Sequence, residues 1–208
     1  MKFQPIYRQD DPACIERLIR RCRMGLLSTI GPEGAPRIGW TNAAKMGGDF
    51  FVHLSAEDVQ AGDLRSGPAL LSYSEVLATI PSDWSGTEDA CMATNLYLHA
   101  EFECEARELT DPASAMADLG ELMRAYQPSG GHRPLSLEDP RYRAELGSLA
   151  MFRLKVVRTR SKWKVGQIWT AERRKDTLRR LRERGLPEDK RTLEEMSEWM
   201  RRAGEMPL

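Results

Sequence analysis

Residues 24–54 read MGLLSTIGPEGAPRIGWTNAAKMGGDFFVHL, and this stretch decides the fold. Met24 to Ile30 is a strand-like run. Gly31-Pro32-Glu33-Gly34 is a turn, and Pro36 to Lys45 is a second strand. Gly47-Gly48-Asp49 turns the chain again into Phe50 to Leu54. Two tight turns joining three consecutive strands make an antiparallel meander.

Upstream, Asp11-Pro12 is a helix start, with Asp as cap and Pro at the first helical position. Ile15, Leu18, Ile19 and Cys22 then mark one apolar face. Downstream, Ala56 to Ser66 reads as a short polar helix and Ala69 to Thr79 as a fourth strand. Residues 80–94 lack periodicity and read as a long loop. Leu96 to Leu109 alternates as a strand, and Pro112 to Tyr126 is an amphipathic helix. After a Pro- and Gly-rich loop, Asp139-Pro140 starts a short helix, and Ser148 to Arg160 is the last strand. Two helices close the chain. Thr170 caps the first, and Thr192 with Glu195 reads as a capping box for the second. The stripe Met196, Trp199 and Met200 reads as packing, within the chain or against a second subunit. The pattern predicts an α+β, mainly β fold: a six-stranded antiparallel barrel with peripheral helices. So few strands leave little room inside, so a large cofactor is expected outside the barrel, at a dimer seam.

The chain has 208 residues, with 31 Lys plus Arg balanced by 31 Asp plus Glu. Zero net charge disfavours broad nucleic-acid binding, although residues 172–184 form a basic helix. Cys14, Cys22, Cys91 and Cys104 have neither C-x-x-C pairing nor zinc spacing, and read as free thiols in a reducing compartment. Met1-Lys2-Phe3-Gln4-Pro5 lacks the apolar segment of a signal peptide, and no run reaches membrane-span length. The expectation is a cytoplasmic, soluble protein that does not engage a membrane.

The richest chemistry lies in residues 161–174. Lys162, Trp163, Lys164, Gln167 and Trp169 fall within eight residues just before a helix. Lysine answers negative charge and indole offers a stacking face, so the patch suits a flat anionic ligand. Further candidates for holding a cofactor are Arg37, Trp40, Thr41, Asn42 and Lys45 on the second strand, Ser55 at the barrel rim, and Trp84 with Ser82 in the long loop. Each has a plainer reading: Arg37 and Lys45 as ordinary strand residues, Trp40 as core, Trp84 as a loop anchor. His53 near a strand end suits a metal ligand, an acid–base group or a simple hydrogen-bonder. His99 reads as a satisfied sheet histidine and His132 as an exposed loop residue. No Walker loop, G-x-G-x-x-G or G-x-S-x-G is present, so any redox or transfer chemistry would come from a bound cofactor.

The order of elements, with these residues, resembles the PaiB family of FMN-binding split-barrel proteins. The likeness rests on Phe50-Phe51-Val52-His53-Leu54-Ser55, Pro81-Ser82-Asp83-Trp84, Thr94-Asn95 with Leu98-His99-Ala100, and Lys162-Trp163-Lys164-Val165-Gly166-Gln167 leading into Glu172-Arg173-Arg174. It spans roughly residues 3–185, so residues 1–185 are expected to form the cofactor-binding domain and 186–208 a helical extension. It implies a homodimer with cofactor clefts between subunits, acting on a small molecule. One branch of the family, the piperazate synthases, binds heme b and closes an N–N bond on an N-hydroxylated amino acid. There a histidine holds the iron, and His53 is the matching position, as metal ligand and catalytic residue. The resemblance also places Lys164, Gln167 and Arg37 on carboxylates or propionates, and Ser82, Thr94 and Asn95 toward substrate.

The departures matter. The family usually reads Lys-x-Lys-Leu-Ser-Gln-Asn-Arg in the late segment; Gly166 replaces the serine and Ile168-Trp169 replaces Asn-Arg. Ser85 replaces a tyrosine of the flavin loop, and Thr94 stands where a tryptophan is usual. These changes favour heme b over FMN, with an FMN-dependent oxidoreductase as the alternative and a PaiB-like transcriptional regulator without turnover as a third reading.

Overall fold

The computed structural model describes residues 4–87 and 89–207. Met1 to Phe3, where the reading of the N-terminal segment and the start of the family likeness fall, lie outside the described residues. Among the described residues there are six strands: β1 (Met24–Ile30), β2 (Pro36–Met46), β3 (Asp49–Ser55), β4 (Pro68–Ile80), β5 (Thr94–Glu108) and β6 (Leu149–Lys164). Six α-helices accompany them: α1 (Pro12–Cys22), α2 (Val59–Ser66), α3 (Pro112–Tyr126), α4 (Pro140–Leu146), α5 (Ala171–Arg184) and α6 (Pro187–Arg202). The strands form a closed antiparallel barrel in the order β1-β2-β3-β6-β5-β4. The fold is α+β, mainly β, as the alternating pattern requires.

The meander forms as read, with Ile30 opposite Pro36 and Met46 opposite Asp49. Side chains alternate across β3. Phe50 turns inward, its ring 4.8 Å from that of Phe102 and edge-on to it. Phe51 turns outward into a cluster with Ala44, Met151 and the α3 residues Ala115 and Leu122. The amphipathic face of α3 therefore covers the outer face of β2, β3 and β6. Asp118 of α3 is buried and takes a two-bond ion pair from Arg153, at 2.6 and 2.8 Å.

By contacts the chain divides into two compact units. The first comprises residues 1–18, 74–100 and 160–208; the second comprises 19–73 and 101–159. Within the first unit, α6 is bound to segments distant in sequence. Arg17 reaches Glu198 at 3.0 Å, Arg202 reaches Asp11 at 3.0 Å, and the Ala78 N–H donates to Thr192 Oγ1 at 2.9 Å. Within the second, α2 is fixed by its polar face. Asp63 accepts from Thr29 Oγ1 and Arg37 Nη1, both at 2.8 Å, and Gln60 donates to the Leu27 carbonyl at 3.1 Å.

Four boundaries differ from the sequence reading. α2 begins at Val59, because Asp58 caps it by accepting from the Gln60 N–H at 2.8 Å. β6 runs on to Lys164, so Lys162, Trp163 and Lys164 belong to the strand. The loop at 80–94 contains two 3-10 turns, Ser82–Ser85 and Ala90–Met92. Thr192 does not cap α6. The helix starts six residues earlier at Pro187, where Asp189 accepts from the Leu186 N–H, and Thr192 lies inside it. Met196 and Met200 are fully buried within the chain, so their stripe is internal packing. No helix among the described residues is long and apolar enough to cross a membrane.

Thr192→Val keeps the shape of the side chain but leaves the Ala78 N–H without an acceptor. An unmet buried donor costs about 1–3 kcal/mol. Urea denaturation should show that loss as a lower midpoint with an unchanged slope.

Candidate functional site

The chain reverses between β6 and α5 through a turn at residues 165–169. Gln167 closes this turn from within: its Oε1 accepts from the Val165 N–H at 2.9 Å and its Nε2 donates to the Trp163 carbonyl. Gly166 has φ +88, and a Cβ there would meet the Trp169 ring at 2.6 Å. Only glycine allows both the left-handed backbone and the close indole. Buried Arg174 donates to the carbonyls of Gly166, Gln167 and Trp169, and its other side pairs with Glu205.

This turn forms one wall of a cleft of about 450 Å³ in the first unit. Thr94 and Leu96 of β5, Lys164 of β6, Tyr7, the Cys91–Ala93 turn, and Ile168 to Thr170 with Arg173 line it. Among the described residues, no acidic side chain lines it. Lys164 Nζ donates to Thr94 Oγ1, which orients the ammonium. Burial, reinforced by neighbouring Lys162, holds the Lys164 pKa below the usual lysine value. Lys162 is itself set between the rings of Tyr7 and Tyr97, at 5.4 and 5.5 Å. The Arg173 guanidinium lies 4.5 Å over the Trp169 ring, and its buried Nε has no hydrogen-bond partner. Burial lowers its pKa as well. At the N-terminus of α5 the Thr170 side chain accepts from the Arg173 N–H at 3.2 Å, and Glu172 adds a negative charge to the first turn. The uncompensated positive charge of the cleft therefore sits on side chains. It suits an anion attached to a flat or apolar body.

His53 lies in the second unit on β3, opposite Met151 of β6. It shares the outward face of Phe51, with ring centroids 6.4 Å apart and planes within 20°. The ring is half-buried, and its Nδ1 is buried without a hydrogen-bond partner. Burial lowers the His53 pKa, so the ring stays neutral and keeps a lone pair. A neutral imidazole can hold iron, and with Nδ1 closed to solvent Nε2 would be the ligating atom. Among the described residues no three His, Cys, Asp or Glu are grouped to hold a bare metal ion.

Of the residues singled out in the sequence, Thr94, Lys164 and Trp169 line one cleft. Gln167 shapes its wall, but both ends of its amide are taken by the backbone. Trp84 is a loop anchor, with Arg184 4.9 Å and Arg180 5.8 Å from its ring. Ser82 accepts through its carbonyl from Ser85 Oγ in the same loop. Asn95 points to the other face of β5 and accepts from Thr79 Oγ1 at 2.7 Å. In the second unit, Arg37 is paired with Asp63. Thr41 is buried, while Asn42, Lys45 and Ser55 are exposed. Trp40, for which a core role was one reading, is 69% exposed. His99 is buried with Nδ1 2.7 Å from Ser74 Oγ, and His132 is exposed, as both were read. The sequence reading missed Tyr7, Cys91 and above all Arg173. The available signal was the spacing: Arg173 is three residues past the Thr170 cap, on the first turn, where a side chain can face the preceding loop.

A closed barrel with cationic and aromatic side chains gathered outside its strands defines a cofactor-binding class of small barrel. The chain belongs to the family described as "Putative FMN-binding domain", whose sequence profile matches residues 1–158. Solved structures share the split-barrel fold at low identity. The FAD and heme binding protein of Mycobacterium smegmatis aligns at 13% identity and TM-score 0.65, over 81% of this chain and 78% of that one. The flavocytochrome Anf3 of Azotobacter vinelandii aligns at 14% and 0.64, over 80% and 74%. A conserved hypothetical protein of Mycobacterium tuberculosis aligns at 22% and 0.54, over 79% and 91%. No curated protein sequence matches significantly.

Because the folded-state pKa of His53 lies below 6.5, the unfolded chain takes up a proton first as pH falls. Stability should therefore drop as pH falls from about 6.5 through the lowered value. His53→Gln should flatten that part of a stability–pH profile measured by urea denaturation.

Proposed function

We propose that this chain is an FMN-binding redox protein and that the cleft of the first unit holds the cofactor. One observation carries the reading: Lys164 and Arg173 bring two cations into a cleft that has an indole face and, among the described residues, no lining carboxylate. Membership of the FMN-binding family supports it. FMN, when bound, supplies hydride and single-electron transfer. The chain's own part is to bind and orient. Lys164 and Arg173 hold the charged end, Thr94 fixes Lys164, and Trp169 offers a face to an apolar body. The lining Leu96, Met92 and Ile168 keep water from that body.

Heme b is the second reading, favoured by the neutral, half-buried imidazole of His53. In its finer form, a heme enzyme would act on a small N-hydroxylated amine or amino acid, cleaving N–O and forming N–N as piperazate synthases do. The regulatory reading rests on the basic helix, several of whose arginines are engaged by carboxylates. Arg179 bonds Asp176 and Glu183, Arg180 bonds Asp176, and Arg184 bonds Asp189.

A second copy of the chain is part of the proposal. The outward face of β4, β1 and β2 carries Leu70, Met24, Leu26, Ile30, Ile38 and Trp40 and no charged residue in that register. Ile38 is 64% and Trp40 69% exposed, which makes an apolar patch of the kind that pairs with another surface. Trp40→Glu should halve the mass measured by light scattering; an unchanged mass would remove this face from the interface.

Titrating the purified protein separately with FMN and with hemin separates the two readings. FMN binding predicts quenched flavin fluorescence that weakens in Lys164→Gln. Heme binding predicts a Soret band that shifts in His53→Ala. If neither ligand changes its spectrum, both readings fall.

A further inference from the structure

The segment that follows α6 reaches back to the wall of the cleft. α6 ends in a chain reversal. Gly204 takes φ +75, its N–H donates to the Arg201 carbonyl at 3.1 Å, and the Glu205 N–H donates to the Met200 carbonyl at 2.8 Å. This pair of bonds is a Schellman end, which pins the residue after the glycine beside the last turn of the helix. Met200 is fully buried, so Glu205 is tied to an anchored point. Its carboxylate takes one edge of the Arg174 guanidinium, Oε2 accepting from Nε at 2.9 Å and Oε1 from Nη2. The ring of Trp199, also on α6, lies 5.0 Å from the same guanidinium. Nη1 is left facing the turn at 165–169. It donates to the carbonyls of Gly166 and Gln167 at 3.3 and 3.4 Å and to that of Trp169.

We propose that Glu205 is a positioning residue of the cleft, acting through Arg174 to set where Trp169 presents its face. This rests on the reading of the same cleft as the flavin site. A guanidinium is planar, so holding its Nε–Nη2 edge fixes the direction of Nη1. The bonds at 3.3 and 3.4 Å are already long, and a small rotation would break them. The side chains of Arg174 and Glu205 are 6% and 28% exposed, so solvent would not readily replace the lost partner. Without Glu205 the buried cation turns away and three carbonyls lose their donor. Trp169 moves with them, because its N–H donates to the Gly166 carbonyl at 3.1 Å and its ring lies against Gly166. The family profile ends at residue 158, so this brace comes from outside it. Residues 186–208, expected as an extension beyond the cofactor-binding domain, become part of its binding machinery. The sign of the effect separates this role from simpler ones. If Glu205 acted only as a charge, removing it would leave the cleft more positive and tighten an anionic flavin. If it acted only on stability, the affinity of the folded protein would not change. Positioning predicts weaker binding.

The test has two arms, applied to the wild type, Glu205→Gln and Thr192→Val. Glutamine keeps the shape but sets an amide donor against a guanidinium donor. Thr192→Val loosens α6 at Ala78 without touching the turn. In the first arm the five tryptophans are labelled with fluorotryptophan and each fluorine resonance is assigned by a Trp→Phe substitution. Glu205→Gln should shift or split the Trp169 resonance and leave that of Trp40 in place, and Thr192→Val should move neither. An unmoved Trp169 resonance in Glu205→Gln would overturn the proposal, and so would an equal shift in Thr192→Val. Should Glu205→Gln not fold, Glu205→Asp carries this arm, since it keeps the charge and withdraws the carboxylate by one methylene. The second arm measures FMN affinity by flavin fluorescence quenching where all variants are folded. Glu205→Gln should weaken FMN by roughly 2- to 30-fold, the range for a residue that acts through another. Thr192→Val should leave the affinity as it is. Unchanged or tighter FMN binding by Glu205→Gln also rejects the positioning role. If the wild type binds no FMN, the flavin reading fails, and the Trp169 resonance alone decides whether Glu205 positions that ring.

Discussion

The cleft depends on one buried guanidinium. Arg174 gathers the carbonyls of the turn at 165–169 on one side and Glu205 on the other. Carbonyls of a tight turn lack the ladder that satisfies a strand, and burying them without donors would be costly. With Arg174 in place the turn can sit inside the protein. Gly166 then takes its left-handed conformation, Trp169 lies against it, and Arg173 lies on Trp169. The ligand-facing groups are therefore the outer layer of a stack whose base is structural. A substitution at Arg174 would be felt at Arg173 without either residue exchanging partners.

Fold and site follow different rules here. The barrel is set by alternation: Phe50 in and Phe51 out, with α3 closing over the outward side chains of β2 and β3. The cleft is set by Lys164 and Arg173, for which no carboxylate partner is found among the described residues. Arg37, Arg153, Arg158 and Arg184 each meet a carboxylate, and Asp63, Asp118 and Asp189 are buried in doing so. Against that background Arg173 stands out, as does His53 with its unpartnered Nδ1. Both are groups whose chemistry is left open by the fold.

The meander was legible in residues 24–54 because turn chemistry and alternation agree there. The α3 helix was legible because its apolar spacing has a single reading. The end of β6 was not, since Lys162, Trp163 and Lys164 look like a ligand patch before they look like a strand with two faces. Thr192 misled for a related reason. Threonine with glutamate three residues on is the signature of a cap, but inside α6 the hydroxyl serves β4 instead. At the site, Lys164, Thr94 and Trp169 were readable from type and spacing. Arg173 was not, because sequence cannot show which of two adjacent arginines finds a carboxylate. Arg37, drawn into the same candidate set, pairs with Asp63.

The two units also differ in when they can be completed. All residues of the second unit, His53 among them, precede residue 160, whereas the first unit needs segments from before residue 18 and from after 160. During synthesis the chain carrying β1, β2, β3 and α3 emerges well before Arg173, Arg174 and α6. Domains fold as their residues leave the ribosome. The face around His53 can thus be organised early, while the cationic cleft waits for Glu205, among the last of the described residues to be added.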